Sequence, residues 1–211
     1  MKICIDPGHG GNDSGAVGPT GLKESNVALG ICQDLVPALE GLGLAIRLTR
    51  DSDVFIALGT RCTIANDWHA DYFVSVHLNS DGQSATGIET LYKTEKGKAL
   101  ATPIQAAMIG ATGDRNRGLV CRNDLYVLNG TNMPAVLAET GFISNPSFEA
   151  KFKTNEYRLL IANAIAYGIA QFLNLGPVPP EPIPPEPEPG PIPPMAFQCP
   201  GCGRQTTITI S

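Results

Sequence analysis

The chain has 211 residues, with 15 Lys plus Arg against 20 Asp plus Glu, a formal charge of −5 and only 3 His. That balance leaves no basic footprint for neutralising phosphates, which argues against a primary role in nucleic-acid binding, and no run of about 18 apolar residues could span or insert into a membrane. Eleven of the 18 prolines fall between Pro177 and Pro194, so the rest of the composition is that of a globular domain able to bury a core, and global disorder is excluded.

The first strand is expected over residues 2–5. Met1 and Lys2 pass directly into it, without the apolar segment and cleavage site of a secretory signal. This predicts a protein made in the cytoplasm and then released, or exported after removal of a leader absent from this chain. Asp6-Pro7-Gly8-His9-Gly10-Gly11 follows, where glycines let backbone approach a partner closely around an outward imidazole. A phosphate-cradling loop would need Lys and Ser or Thr just before a helix, and that spacing is missing.

Val27, Ile31, Leu35, Leu39 and Leu42 repeat at helical spacing, with Glu24 just ahead of them and Pro37 inside, where it should kink or split the helix. Alone, Glu24 reads as a first-turn carboxylate suited to the helix dipole. A strand at 44–49 and a helix marked by Leu58, Cys62, Ala65 and Trp68 come next. The strand at 72–78 brings His77 to its carboxyl end, where open α/β sheets gather their sites. Further strands are expected at 88–92, 124–128 and 135–138, and helices over 99–110 and about 157–173. In the last helix Leu160, Ala164, Tyr167 and Phe172 are expected to line the apolar side.

Alternating strands and helices predict one α/β layered domain over 1–175, with a central, mostly parallel six-stranded sheet flanked by helices. Residues 176–194 read as a Pro-rich extended linker and 195–211 as a short tail. Cys4, Cys32, Cys62 and Cys121 sit in apolar settings, where small buried thiols are expected, consistent with synthesis in a reducing compartment.

His9, Glu24 and His77 together compose a hydrolytic zinc set, in which three protein ligands leave a fourth tetrahedral position for water. Glu139, after the apolar run 134–138 and before Thr140-Gly141, is placed to act as the base. Asn79 points to the same side of its strand as His77 and is a weaker candidate for substrate contact. Glu89 reads as a structural partner or a substrate contact. Arg115, Arg117 and Arg122 read as a solvated loop, and His69 as a surface residue. Cys199 and Cys202, in Cys-x-x-Cys-Gly, offer half of a thiolate zinc site, which predicts a second, structural zinc closed by a dimer or by residues missing from this chain.

IDPGHGGNDSGAVG, LKESN, ADYFVSVHLNS, GIETLY and PAVLAETGFISN, in that order, resemble the zinc-dependent N-acetylmuramoyl-L-alanine amidases of the amidase-3 type over roughly residues 1–174. The resemblance implies zinc held at His9, Glu24 and His77, a catalytic Glu139, and peptidoglycan as substrate, cut between N-acetylmuramic acid and L-alanine. Autolysins and phage endolysins both fit it. A zinc peptidase or carboxypeptidase, or a non-catalytic wall-binding module, are the rival readings.

Overall fold

The computed structural model describes residues 1–176 in full and, beyond them, only the backbone of 195–198 and 205–208. The chain divides into two units, Met1–Pro179 and Pro180–Ser211.

The first unit contains strands β1 (Lys2–Pro7), β2 (Ala45–Leu48), β3 (Tyr72–Asn79), β4 (Ile88–Tyr92), β5 (Asn116–Cys121) and β6 (Ala135–Phe142). Its helices are α1 (Glu24–Glu40), α2 (Leu58–Asp67), α3 (Glu95–Thr112), α4 (Tyr126–Gly130), α5 (Pro146–Phe152) and α6 (Asn155–Phe172). The strands form one sheet in the order β2-β1-β3-β6-β4-β5, parallel except where β4 runs against β6. The carboxyl ends of β1, β3 and β6 therefore share an edge with the amino ends of β4 and β5.

Strand alternation sorts the side chains into two cores. Ile3, Ile5, Val74, Val76, Val136 and Ala138 pack with α1, α3 and α6 on one face. On the other, Cys4, Phe73, Leu91 and Leu137 meet Cys62 of α2 and Val127 and Leu128 of α4. Stepping by two along the strands of this second face leads from Cys4 to Asp6, from Phe73 to His77, and from Leu137 to Glu139. The apolar pattern thus aims the polar residues at one sheet edge. The starts of α3, α5 and α6 are fixed by caps: Thr94 accepts from Gly97 N, Asn145 from Ser147 N and Phe148 N, and Thr154 from Tyr157 N, each worth about 1 kcal/mol.

The mostly parallel six-stranded α/β architecture agrees with the sequence reading, and several elements depart from it. The strand expected at 124–128 is instead the short helix α4, because one helical turn buries both Val127 and Leu128 against Leu137. The real strand is β5, whose charged Asn-Arg-Gly start is tolerated on an outer edge, where like residues deter further pairing. Helix α1 runs through Pro37 to Glu40 unsplit. Pro37 lies so near the end that its missing N–H costs one bond, to Gln33 O. In α6 the buried stripe is Ile161, Ala164, Ile165, Gly168 and Ile169, whereas Leu160 and Tyr167 face outward. Cys4, Cys32 and Cys62 are buried as expected and Cys121 is exposed. No helix among the described residues is long and apolar enough to cross a membrane.

In the second unit β7 (Met195–Gln198) pairs antiparallel with β8 (Gln205–Ile208). Cys199 and Cys202, and the segment from Pro177 to Pro194, lie outside the described residues.

Candidate metal centre

His9 lies just past β1, after Gly8, and adopts a left-handed φ of 58°. That conformation turns its ring across the sheet edge towards His77, the two ring centroids lying 4.9 Å apart and nearly perpendicular. Gly8 makes the approach possible, since a Cβ there would stand 2.4 Å from the His77 ring. Gly15, at φ 62°, does the same on the other side, where a Cβ would strike Glu24 and the His9 ring at 2.6 Å.

Glu24 opens α1 and is almost wholly buried. Its carboxylate does not cap its own helix. Oε1 lies 2.9 Å from His77 Nδ1, 3.2 Å from His9 Nε2 and 3.0 Å from Leu78 N, while Oε2 accepts from Ala16 N at 2.9 Å. The donor atoms of His9, Glu24 and His77 all lie within 4.8 Å of one another.

Burial alone would lower the His9 imidazole and raise the Glu24 carboxyl, but their mutual hydrogen bonds and charges win. His9 is lifted to about 9, with Asp13 contributing, and Glu24 is held far below the usual carboxylate range by both imidazoles. His77 is also raised, burial being outweighed by Glu24. Two nitrogens pressing on one carboxylate oxygen need either protons or a cation between them. That donor set, two imidazoles and a carboxylate with converging lone pairs, fits zinc.

Glu139 stands beside His77, its Cα partner across the parallel β3–β6 pair. The sequence placed it at the end of its strand, but β6 continues to Phe142. Its Oε2 is buried without a hydrogen-bond partner. Burial raises its carboxyl to about 7, the His77 charge opposing and Glu24 and Glu89 adding. A buried carboxyl poised near neutrality and left an open acceptor suits proton transfer.

Asn79 shares this face, past a register shift after His77, but its amide donates to Glu89 Oε1 at 2.7 Å. Arg117 Nε holds the other Glu89 oxygen at 3.0 Å, so Arg117 belongs to the sheet rather than to a solvated loop. Arg122 forms a two-point pair with Asp124, and His69 is exposed as expected.

Sequence reasoning missed Asp13. Its Oδ2 meets His9 Nδ1 at 2.9 Å while Oδ1 accepts from Gly15 N at 3.0 Å. A proton shared on Nδ1 leaves Nε2 free to face a metal, the usual carboxylate–histidine arrangement behind a zinc ligand. Its only signal was an acid four residues past a candidate ligand inside a glycine-rich loop.

Residues 3–171 match the family described as N-acetylmuramoyl-L-alanine amidase. The chain belongs to that family. It is 39% identical over 180 residues to the sporulation-specific N-acetylmuramoyl-L-alanine amidase of Bacillus subtilis (strain 168), covering 83% of this chain and 69% of that protein. To the endolysin of Bacillus phage SPP1 it is 38% identical over 182 residues, covering 82% and 66%. The solved catalytic domain of CwlV, an N-acetylmuramoyl-L-alanine amidase from Bacillus (Paenibacillus) polymyxa var. colistinus, superposes with a TM-score of 0.80 at 35% identity, over 83% of this chain and 99% of that one. As an N-acetylmuramoyl-L-alanine amidase, the protein is a hydrolase of cell-wall peptidoglycan.

Proposed function

We propose that this amidase cuts the bond between the lactyl carbonyl of N-acetylmuramic acid and the L-alanine amine with a zinc ion held by His9, Glu24 and His77, and with Glu139 as its general base and acid. The observation that carries the reading is the convergence of His9 Nε2 and His77 Nδ1 on Glu24 Oε1, beside the unpartnered Glu139 Oε2. A zinc ion held there would supply a Lewis acid to polarise the scissile carbonyl.

Each residue then has a defined task. Asp13 orients His9, and Leu78 N and Ala16 N fix the Glu24 carboxylate so that it cannot rotate away. Glu139 takes a proton from the attacking water on Oε2 and returns it to the departing alanine nitrogen, without which the amine is a poor leaving group. Burial raises its carboxyl to about 7, which lets it serve in both protonation states near neutral pH. Peptidoglycan is the expected partner, and endolysin-like release and autolysin-like action in the wall both remain compatible roles.

The test is mass spectrometry of a muramoyl-peptide incubated with the full chain before and after chelation. Free stem peptide with a new L-alanine amino terminus, lost on chelation and restored by zinc, is the expected result. Cleavage elsewhere in the peptide would make the protein a peptidase instead.

A further inference from the structure

Two buried arginines stand beneath the candidate metal site, and neither is used by the mechanism above. Arg61, on α2, is 2% exposed, and Arg50, just after β2, is 3% exposed. Arg61 donates from Nε to Ile56 O at 2.9 Å, from Nη1 to Asp6 Oδ1 at 2.8 Å and Pro7 O at 2.6 Å, and from Nη2 to His9 O at 2.6 Å. Arg50 donates from Nε to Pro7 O at 3.0 Å, from Nη1 to Ser52 O at 3.1 Å, and from Nη2 to Gly8 O at 2.7 Å and Ser25 O at 2.8 Å.

Three consecutive carbonyls, of Pro7, Gly8 and His9, thus end on guanidinium groups. A further carbonyl held by Arg50, that of Ser25, follows Glu24 in the chain. We infer that Arg50 and Arg61 are positioning residues for the metal donors: Arg61 pins the His9 backbone and Arg50 ties the His9 loop to the helix turn that carries Glu24. The inference rests on the metal reading above.

The geometry shows why guanidinium is needed. A left-handed histidine is an unfavourable conformation that persists only when its surroundings over-determine it. Drawing the carbonyls of residues 7–9 down into the protein is what turns the His9 ring up to the sheet edge. Gly8 and His9 lie past the end of β1, where no helix or sheet ladder takes up their carbonyls. A planar fork of five fixed donors serves several irregular carbonyls at once, whereas an ammonium group serves as a compact point charge.

Charge points the same way. Among the described residues only one carboxylate, Asp6, touches either arginine, and its oxygens are shared with Thr49 Oγ1 at 2.5 Å and Ser75 Oγ at 2.7 Å. The cluster keeps surplus positive charge under a cation site, which electrostatically opposes metal binding. Its benefit to the site is therefore geometric, and Lys, which preserves charge and loses the fork, is the discriminating substitution.

The experiment compares full-length wild type, Arg61→Lys, Arg50→Lys and a control, Asp114→Ala. Asp114 ties Lys151 of α5 to Tyr157 of α6 and touches neither arginine nor any candidate ligand. Zinc affinity is read by chelator competition, coordination geometry by the visible absorption of the cobalt(II)-loaded protein, and folding by circular dichroism and melting. Expected are folded Arg variants that bind zinc roughly tenfold to a hundredfold more weakly with an altered cobalt spectrum, while the control melts earlier but keeps wild-type affinity and spectrum. Wild-type affinity and spectrum in both folded Arg variants would overturn the inference, as would an affinity loss matched by the control. Should Arg61→Lys fail to fold, Arg50→Lys, which leaves the Asp6–Arg61 pair intact, decides; failure of both to fold would assign the arginines to the fold alone and overturn a role specific to the site. A wild-type protein that binds no cobalt would instead sink the metal reading.

Discussion

Glu89 lies directly across the antiparallel β4–β6 pair from Glu139. Residues opposed in this way have Cα atoms about 4.5–5.5 Å apart, and like charges so placed repel. Asn79 donates to one Glu89 oxygen and Arg117 pairs its charge with the other, while Glu139 keeps an oxygen unpartnered. The sheet thus makes two neighbouring carboxylates unequal.

That inequality predicts a pH effect. In its proposed role Glu139 works as a base when deprotonated, so kcat/KM should show an acid limb set by the pKa of its carboxyl, which burial raises, with His77 opposing and Glu24 and Glu89 adding. In Glu89→Gln one of the charges raising that value is gone, and the acid limb should move to lower pH. Arg117→Ala leaves Glu89 less neutralised and should move it to higher pH. Profiles of kcat/KM against pH for the three proteins would show identical acid limbs if the Glu89 charge did not reach Glu139.

Replacing the base itself is a sharper test. Glu139→Gln keeps shape and removes proton transfer, so kcat should fall about 10²- to 10⁴-fold with bound zinc unchanged by elemental analysis. Residual turnover within a fewfold of wild type would move the base elsewhere.

Asp13 should matter through His9 rather than through substrate. With Asp13→Ala the His9 ring loses its orienting carboxylate, and zinc affinity should weaken by about 10–100-fold, while KM for a muramoyl-peptide under saturating zinc changes little. A large KM change at full metal loading would mean that Asp13 meets substrate directly.

Glu149 predicts a pH effect on stability, away from the metal residues. Its buried carboxylate accepts from Thr20 N, Thr20 Oγ1 and Leu22 N, and its carboxyl is lowered: burial would raise it, and these bonds with nearby Lys153 outweigh that. A lowered value means stability present above the unfolded carboxyl's range, near about 4.3, and lost as pH falls through the lower folded value. Glu149→Gln should cost about 1–3 kcal/mol at pH 7. The gap between the two proteins should narrow in denaturant titrations as the pH approaches 3, and a gap independent of pH would show that packing alone is responsible.

Much of this layout was legible because alternation and helical spacing are set by burial. Phe73, Ser75 and His77 step along one face, so the strand that hides Phe73 also delivers His77. The failures have physical causes too. Strand β5 was illegible because an outer strand on an exposed edge has no need of an apolar run, and Leu125 to Leu128 looked like a strand because a single helical turn has too few residues to show a period. Arg61 went unnoticed although Arg61, Cys62 and Ala65 fall on one helical stripe. A charged residue on the inward side of a helix has to have a buried partner, and that signal was available. Arg50 offered none, since apart from Ser52 O its partners are main-chain carbonyls far away in sequence.

The position of β6 governs how the enzyme comes into being. β6 is the last of the six strands to be synthesised, yet it lies between β3 and β4 in the sheet. Until it arrives, a nascent chain holds two separate strand groups with their central pairings unmade, and closing over such long sequence separations is slow. Glu139 travels on that strand. The step that completes the sheet is therefore the step that installs the proposed base, and a chain that stalls before it carries the three candidate metal donors without Glu139.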